Sequence, residues 1–178
     1  MLIAINAVLF QCIWFINITQ SLWVSFYATV TVLVIHLGLV YRQTAGNAGR
    51  AVLEGLWLAL LFFVGLLIEQ FFFFTGTLVL TGEEVPLFAG VPYWLLLIWM
   101  AFGTTFYFSF RFICRRLYLA PILGAFACFS YAGGAALSSS VDLSSQLWSA
   151  VLVIACAWSV VLTLLAAFYR SVWKIPYA

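Results

Sequence analysis

Two carboxylates sit inside one stretch long enough to cross a bilayer, and that stretch limits what the rest of the chain can be. Residues 54–75, EGLWLALLFFVGLLIEQFFFFT, are almost wholly apolar apart from Glu54, Glu69 and Gln70. A carboxylate in hydrocarbon costs on the order of 3 kcal/mol even on lenient insertion scales, so such groups face a bundle interior or a watery cavity. Fifteen residues separate the two glutamates. At ~1.5 Å and ~100° per residue that is roughly 22 Å of depth and about 60° of rotation. Both therefore lie on one side of a helix, with Gly65 one turn below Glu69, and that side is expected to look inward. Glu54 has a plainer alternative: close to the helix start, it could snorkel to the interface and favour the positive end of the helix dipole. Glu69 is deeper, and reads either as a functional group or as a structural interhelical hydrogen-bond donor.

Only 7% of the 178 residues are charged and 67% are hydrophobic, against about a quarter charged in a soluble domain. The expected fold is all-α: a polytopic transmembrane helix bundle without an extramembrane domain. Six spans are expected, at about 2–18, 22–41, 51–75, 92–112, 118–137 and 147–169, in a single integral membrane domain covering 1–178. All seven basic residues fall in the second and fourth connections and the C-terminal tail. By the positive-inside rule both termini are then cytoplasmic. The start, MLIAINAVLF, has no basic segment and no cleavage site after it, so it reads as a retained first helix.

Along the first span Asn6 and Asn17 point to one side and Gln11 elsewhere, and interhelical hydrogen bonding is the expected use of the pair. The Asn17-Ile18-Thr19 sequon lies too close to the membrane for glycosylation. His36, the sole histidine, sits a turn and a half from the far end of span two. The third connection, 76–91, carries Glu83, Glu84 and Pro86 but is apolar in its middle, and is expected to lie on the surface or re-enter the interface. Span four opens on Tyr93-Trp94, an interfacial belt pattern, and holds Thr104, Thr105, Tyr107 and Ser109. In span five Ala120, Gly124, Cys128, Ala132 and Ala136 recur every four residues, a ladder that lets helices approach closely. A slot for a lipid chain is the functional alternative for that ladder.

Depth arithmetic puts Asn6, His36, Glu54 and Ser109 in the cytoplasmic half and Glu69, Gln70, Asn17 and Ser130-Tyr131 toward the outside, with Thr104 and Thr105 between. A histidine beside a glutamate can act as a general base or relay protons; a satisfied packing histidine is the bland alternative. Glu69, His36 and Glu54 are thus the candidate catalytic residues. Asn6, Gln11, Thr104, Thr105, Ser109 and Ser130 are candidate ligand-binding residues. Arg111, Arg115 and Arg116 suit lipid headgroups, or serve only to set topology. With one histidine and four scattered cysteines, neither a zinc site nor a bis-histidine haem can be built. No motif for acyl, peptide or phosphoryl transfer is present. No metal or cofactor is expected. Most of the Trp and Tyr residues sit near span ends, as interface anchors do.

At NAVLFQCIWF, GLLIEQ, PYWLLLIWMAFGTT and FSYAGGA the chain resembles DUF2878, a family of small bacterial inner-membrane proteins of unknown function. The resemblance implies Asn6, Gln11, Trp14, His36, Glu69, Thr104, Thr105, Ser130 and Gly134 as family-like positions. It also implies an Asp where Glu69 stands and an Asn-His pair after the threonines. Tyr107-Phe108 depart from that pair, which weakens the case for histidine chemistry in span four. Family members are often encoded near enzymes of cyclopropane-type fatty-acid modification in photooxidative stress gene sets, an associational pointer to lipid modification.

The leading expectation is a multi-pass protein of the bacterial inner membrane that binds a lipid or other hydrophobic molecule and assists membrane-lipid modification or stress protection. Glu69 would be its key polar group, with His36 and Glu54 as proton or headgroup partners. A small proton-coupled transporter is the first rival, opposed by the lack of an internal repeat and of helices broken by paired Gly/Pro. A non-catalytic subunit or assembly factor is the second. The expected partners are membrane lipids and another membrane protein or a second copy of the chain, not nucleic acid.

Overall fold

The computed structural model describes residues 2–81 and 87–176, so Glu83, Glu84 and Pro86 lie outside the described residues. The helices are α1 (Leu2–Thr19), α2 (Leu22–Gln43), α3 (Ala48–Phe74), α4 (Tyr93–Gly103), α5 (Arg111–Arg115), α6 (Ala120–Ala125), α7 (Ala127–Leu137) and α8 (Leu147–Trp173). Four short strands accompany them: β1 (Leu78–Leu80), β2 (Leu87–Phe88), β3 (Val91–Pro92) and β4 (Val141–Leu143). β1 pairs antiparallel with β4, Val79 opposite Asp142. β2 and β3 form a hairpin turning through Ala89 and Gly90, both at positive φ. The connections read as loops thus hold two small two-stranded sheets. In extended segments next to apolar helices, pairing satisfies main-chain groups that hydrocarbon would leave bare.

Among the described residues five segments are helical, long and apolar enough to cross a membrane: 2–19, 22–43, 48–74, 117–137 and 147–173. The expected fourth span is different. It is helical only from Tyr93 to Gly103, then runs in turns to residue 110 before α5. The cause is local. Thr104 and Thr105 turn their hydroxyls back onto the carbonyls of Ala101 and Phe102, at 2.7 and 2.6 Å, and their amides bond the same two carbonyls. These are i→i−3 bonds, so the chain tightens and the α-ladder stops. The fifth span also departs from a single helix, with a break at Phe126. Pro121 occupies the first turn of α6, where its missing N–H costs nothing. α8 runs past the expected end, and Arg170, assigned by sequence to a free tail, is a buried residue of that helix whose Nε donates to the Ile175 carbonyl.

The chain divides into two compact units, Met1–Glu69 with Pro86–Ser109, and Gln70–Val85 with Phe110–Ala178. In the first, α1 and α2 form a hairpin and both pack on α4. α2 buries Ser25, Thr29, His36 and Val40, a stripe in steps of four, seven and four residues whose small polar members lie against α1. Asn17 donates from α1 to the Thr29 hydroxyl at 3.1 Å and to its own helix at Ile13. The part of α3 in this unit buries Glu54, Trp57, Leu58, Leu61, Gly65 and Glu69. In the second unit α6 lies along α8. Ala120, Gly124 and Cys128 are buried as the ladder requires, while Ala132 is half-buried and Ala136, next to the end of α7, is exposed. A Cβ at Gly124 would overlap the Trp158 main chain, its carbonyl carbon 2.7 Å away, so the close approach depends on glycine.

Candidate functional site

The polar residues of the first unit fall into three clusters, each anchored on α3 or α4. In the first, His36 Nε2 of α2 lies 2.9 Å from Glu54 Oε1 of α3. Both side chains are buried, the histidine 3% exposed and the glutamate 0%. Glu54 is therefore not a snorkelling residue. α3 begins at Ala48, two turns earlier than the glutamate, and the helix phase aims Glu54 at α2 rather than at the interface. The imidazole is walled by Tyr107 and Phe108, both edge-on, with ring centroids 6.2 and 5.6 Å away. A histidine and a carboxylate at this distance share a proton along one hydrogen bond, which makes the pair able to pass it on.

The second cluster is the interrupted segment after α4. Here the carbonyls from Ala101 to Thr105 are taken by other donors. Ala101 and Phe102 receive the threonine hydroxyls and amides, while Gly103 receives the Trp57 indole N–H at 3.1 Å and the Phe106 amide at 3.3 Å. Thr104 receives the Asn6 amide at 3.4 Å, and Thr105 the Phe108 amide at 3.2 Å. Asn6 Oδ1 in turn accepts the Ser109 hydroxyl at 2.7 Å. α1 thus clamps both ends of the segment. Irregular main chain at membrane depth is sustained only when its polar groups are satisfied in this way.

The third cluster holds Glu69. Trp99 of α4 donates its indole N–H to Glu69 Oε1 at 2.8 Å. Gly65 makes the bond possible, because the Trp99 ring lies where a Cβ at position 65 would be. In this contact Glu69 accepts rather than donates. It stands fifteen residues along α3 from Glu54, so the two carboxylates occupy separate levels of one face and do not share a cluster.

Depth alone puts Asn6, His36, Glu54 and Ser109 in one layer without pairing them; in the structure His36 meets Glu54 and Asn6 meets Ser109. Asn17 bonds Thr29 in the α1–α2 contact. Gln11 and Ser130 are exposed, as are Arg111, Arg115 and Arg116. Trp94, expected as part of an interfacial belt, is buried, as are Trp57 and Trp99. Trp57 lies one turn from Glu54, a signal that an indole shares the carboxylate's face. In the second unit burial pushes the Cys114 thiol up to about 12, against smaller opposing effects from its own backbone hydrogen bond, Arg111 and Arg170. Among the described residues no group of His, Cys, Asp and Glu could hold a metal ion.

No curated protein and no solved structure matches the chain. One family model matches residues 3–164, which take in every cluster above, and its description is "protein of unknown function". The chain belongs to that family, DUF2878.

Proposed function

We propose that this protein binds a lipid or another hydrophobic molecule within the inner membrane and assists its modification or a protective response. His36 and Glu54 are the proton-exchanging pair. The observation that carries this reading is the buried His36–Glu54 hydrogen bond, walled by the rings of Tyr107 and Phe108. Such a site offers one polar contact beside aromatic surface, which suits an apolar molecule with a single polar head. The carbonyls from Ala101 to Thr104 are taken up by Asn6, Trp57 and the threonines, which favours ligand recognition by side chains over coordination of a bare ion at that end of the segment. The test is mass spectrometry of lipids that co-purify with the protein in mild detergent. A species enriched over bulk membrane lipid in wild type and lost in Glu54→Gln supports the reading, and bulk composition in both removes it.

A proton-coupled transporter is the second reading, favoured by the interruption of α4 beside a buried ionisable pair, since broken helices build many transporter sites. It predicts proton flux in liposomes that Glu54→Gln abolishes.

A further inference from the structure

We propose that Nδ1 of His36 is the atom that receives the O–H head of a long-chain acid or alcohol, and accepts its proton. The inference rests on the lipid-binding reading above and names the class of ligand. Nε2 is committed to Glu54 at 2.9 Å. Nδ1 has no hydrogen-bond partner among the described residues, although the ring is 3% exposed. A buried nitrogen in that state is costly and calls for a partner.

The glutamate decides what kind. In the proposed state Glu54 is the acceptor and the ring is neutral, so the proton sits on Nε2 facing Glu54 and Nδ1 is the bare nitrogen. This is the arrangement by which an acid orients a histidine base. A bare nitrogen needs a donor. Among lipid functional groups, hydroxyls and carboxylic acids supply one; esters, ethers and ketones do not. With an acid, the O–H bond breaks as the N–H bond forms at Nδ1. The ligand becomes a carboxylate, and the ring becomes an imidazolium whose other N–H remains on Glu54. No oxidant or co-reactant enters. Tyr107 and Phe108 come from the non-helical segment after α4. Both rings stand edge-on to the imidazole, and the proposal requires this segment to shift so that the head reaches Nδ1 while the rings flank the hydrocarbon chain.

His36 is the sole histidine, so histidine nitrogen resonances report on it alone. The experiment is ¹⁵N NMR of histidine-labelled protein in phosphatidylcholine nanodiscs at neutral pH, titrated with lauric acid, dodecanol or dodecane. The expected spectrum without ligand has Nδ1 unprotonated. Lauric acid moves it toward the protonated position, dodecanol moves it less, and dodecane leaves it. His36→Gln keeps an amide for Glu54 but lacks Nδ1, and should bind lauric acid about tenfold more weakly, as for one lost hydrogen bond to a charged group. The wild-type spectra decide even if that variant folds poorly. A protonated Nδ1 in the unliganded protein, an equal response to dodecane, or a folded His36→Gln that binds lauric acid as wild type does would each overturn the proposal. Lauric acid binding through Nδ1, with co-purifying lipid unaffected by Glu54→Gln, would keep this site and remove the function proposed above. Glu54-dependent lipid without any Nδ1 response would do the reverse.

Discussion

Trp99 reaches Glu69 across a notch that Gly65 leaves open. The indole nitrogen lies 2.8 Å from the carboxylate oxygen, and the ring fills the space a Cβ at position 65 would need, its Cδ1 2.6 Å from that point. Gly65→Ala therefore has to displace the ring and lose the bond together. Overpacking of this kind costs about 1–3 kcal/mol, and Trp99→Phe, which removes a donor to a carboxylate, about 1.5–3 kcal/mol. Unfolding in mixed micelles should show both losses. The double variant should cost less than their sum, because both changes remove the same contact.

For His36 and Glu54 the expected result is a strong coupling. Removing one partner of a buried pair leaves the other uncompensated, at about 3–5 kcal/mol, whereas replacing both by apolar groups is close to neutral. His36→Leu and Glu54→Leu should each destabilise the protein, and the double variant should recover most of the loss in a double-mutant cycle. Additive losses would mean that the 2.9 Å contact does not govern stability.

The Asn6 clamp makes a local prediction. Asn6→Leu removes the acceptor of the Ser109 hydroxyl and the donor to the Thr104 carbonyl, so the segment between them should loosen while α4 stays helical. Hydrogen exchange should rise at the amides of Phe106 and Phe108 by more than at Trp99, with a stability cost of about 1–3 kcal/mol.

Cys114 should be chemically silent. Its thiol is buried and pushed up to about 12, so the reactive thiolate is scarce at any pH below that. A maleimide applied near neutral pH should leave it unlabelled in the folded protein and label it after denaturation. Rapid labelling of the folded state would contradict its burial.

The amino-acid pattern carried the helices and their faces further than it carried their partners. Helical phase alone put Glu54 and Glu69 on one side of α3, and Asn6 and Asn17 on one side of α1, and all four are buried. Depth arithmetic put His36 and Glu54 in one layer but did not pair them; the contact is seen only in the structure. What the pattern did not carry was the end of α4. The segment 104–110 has neither Gly nor Pro and is as apolar as a continuing span, and the interruption comes from two threonine hydroxyls whose bonds to Ala101 and Phe102 carry no hydropathy signal. Trp57 and Trp99 were hidden for a related reason. An indole is amphipathic, and only the helix it meets decides whether its N–H serves a headgroup or, as here, a carbonyl and a carboxylate. Arg170 reads as a tail charge until α8 is seen to continue past it.

The central claim is that the His36–Glu54 pair acts on a lipid or another hydrophobic molecule. Its most direct test is untargeted lipid mass spectrometry on cells lacking this protein and on the same cells restored with wild type, His36→Gln or Glu54→Gln, in calm growth and under oxidative stress. The account predicts a lipid species that changes in the null, returns with wild type and fails to return with either variant, although both variants accumulate in the membrane. Profiles that coincide across all strains in both conditions would contradict it.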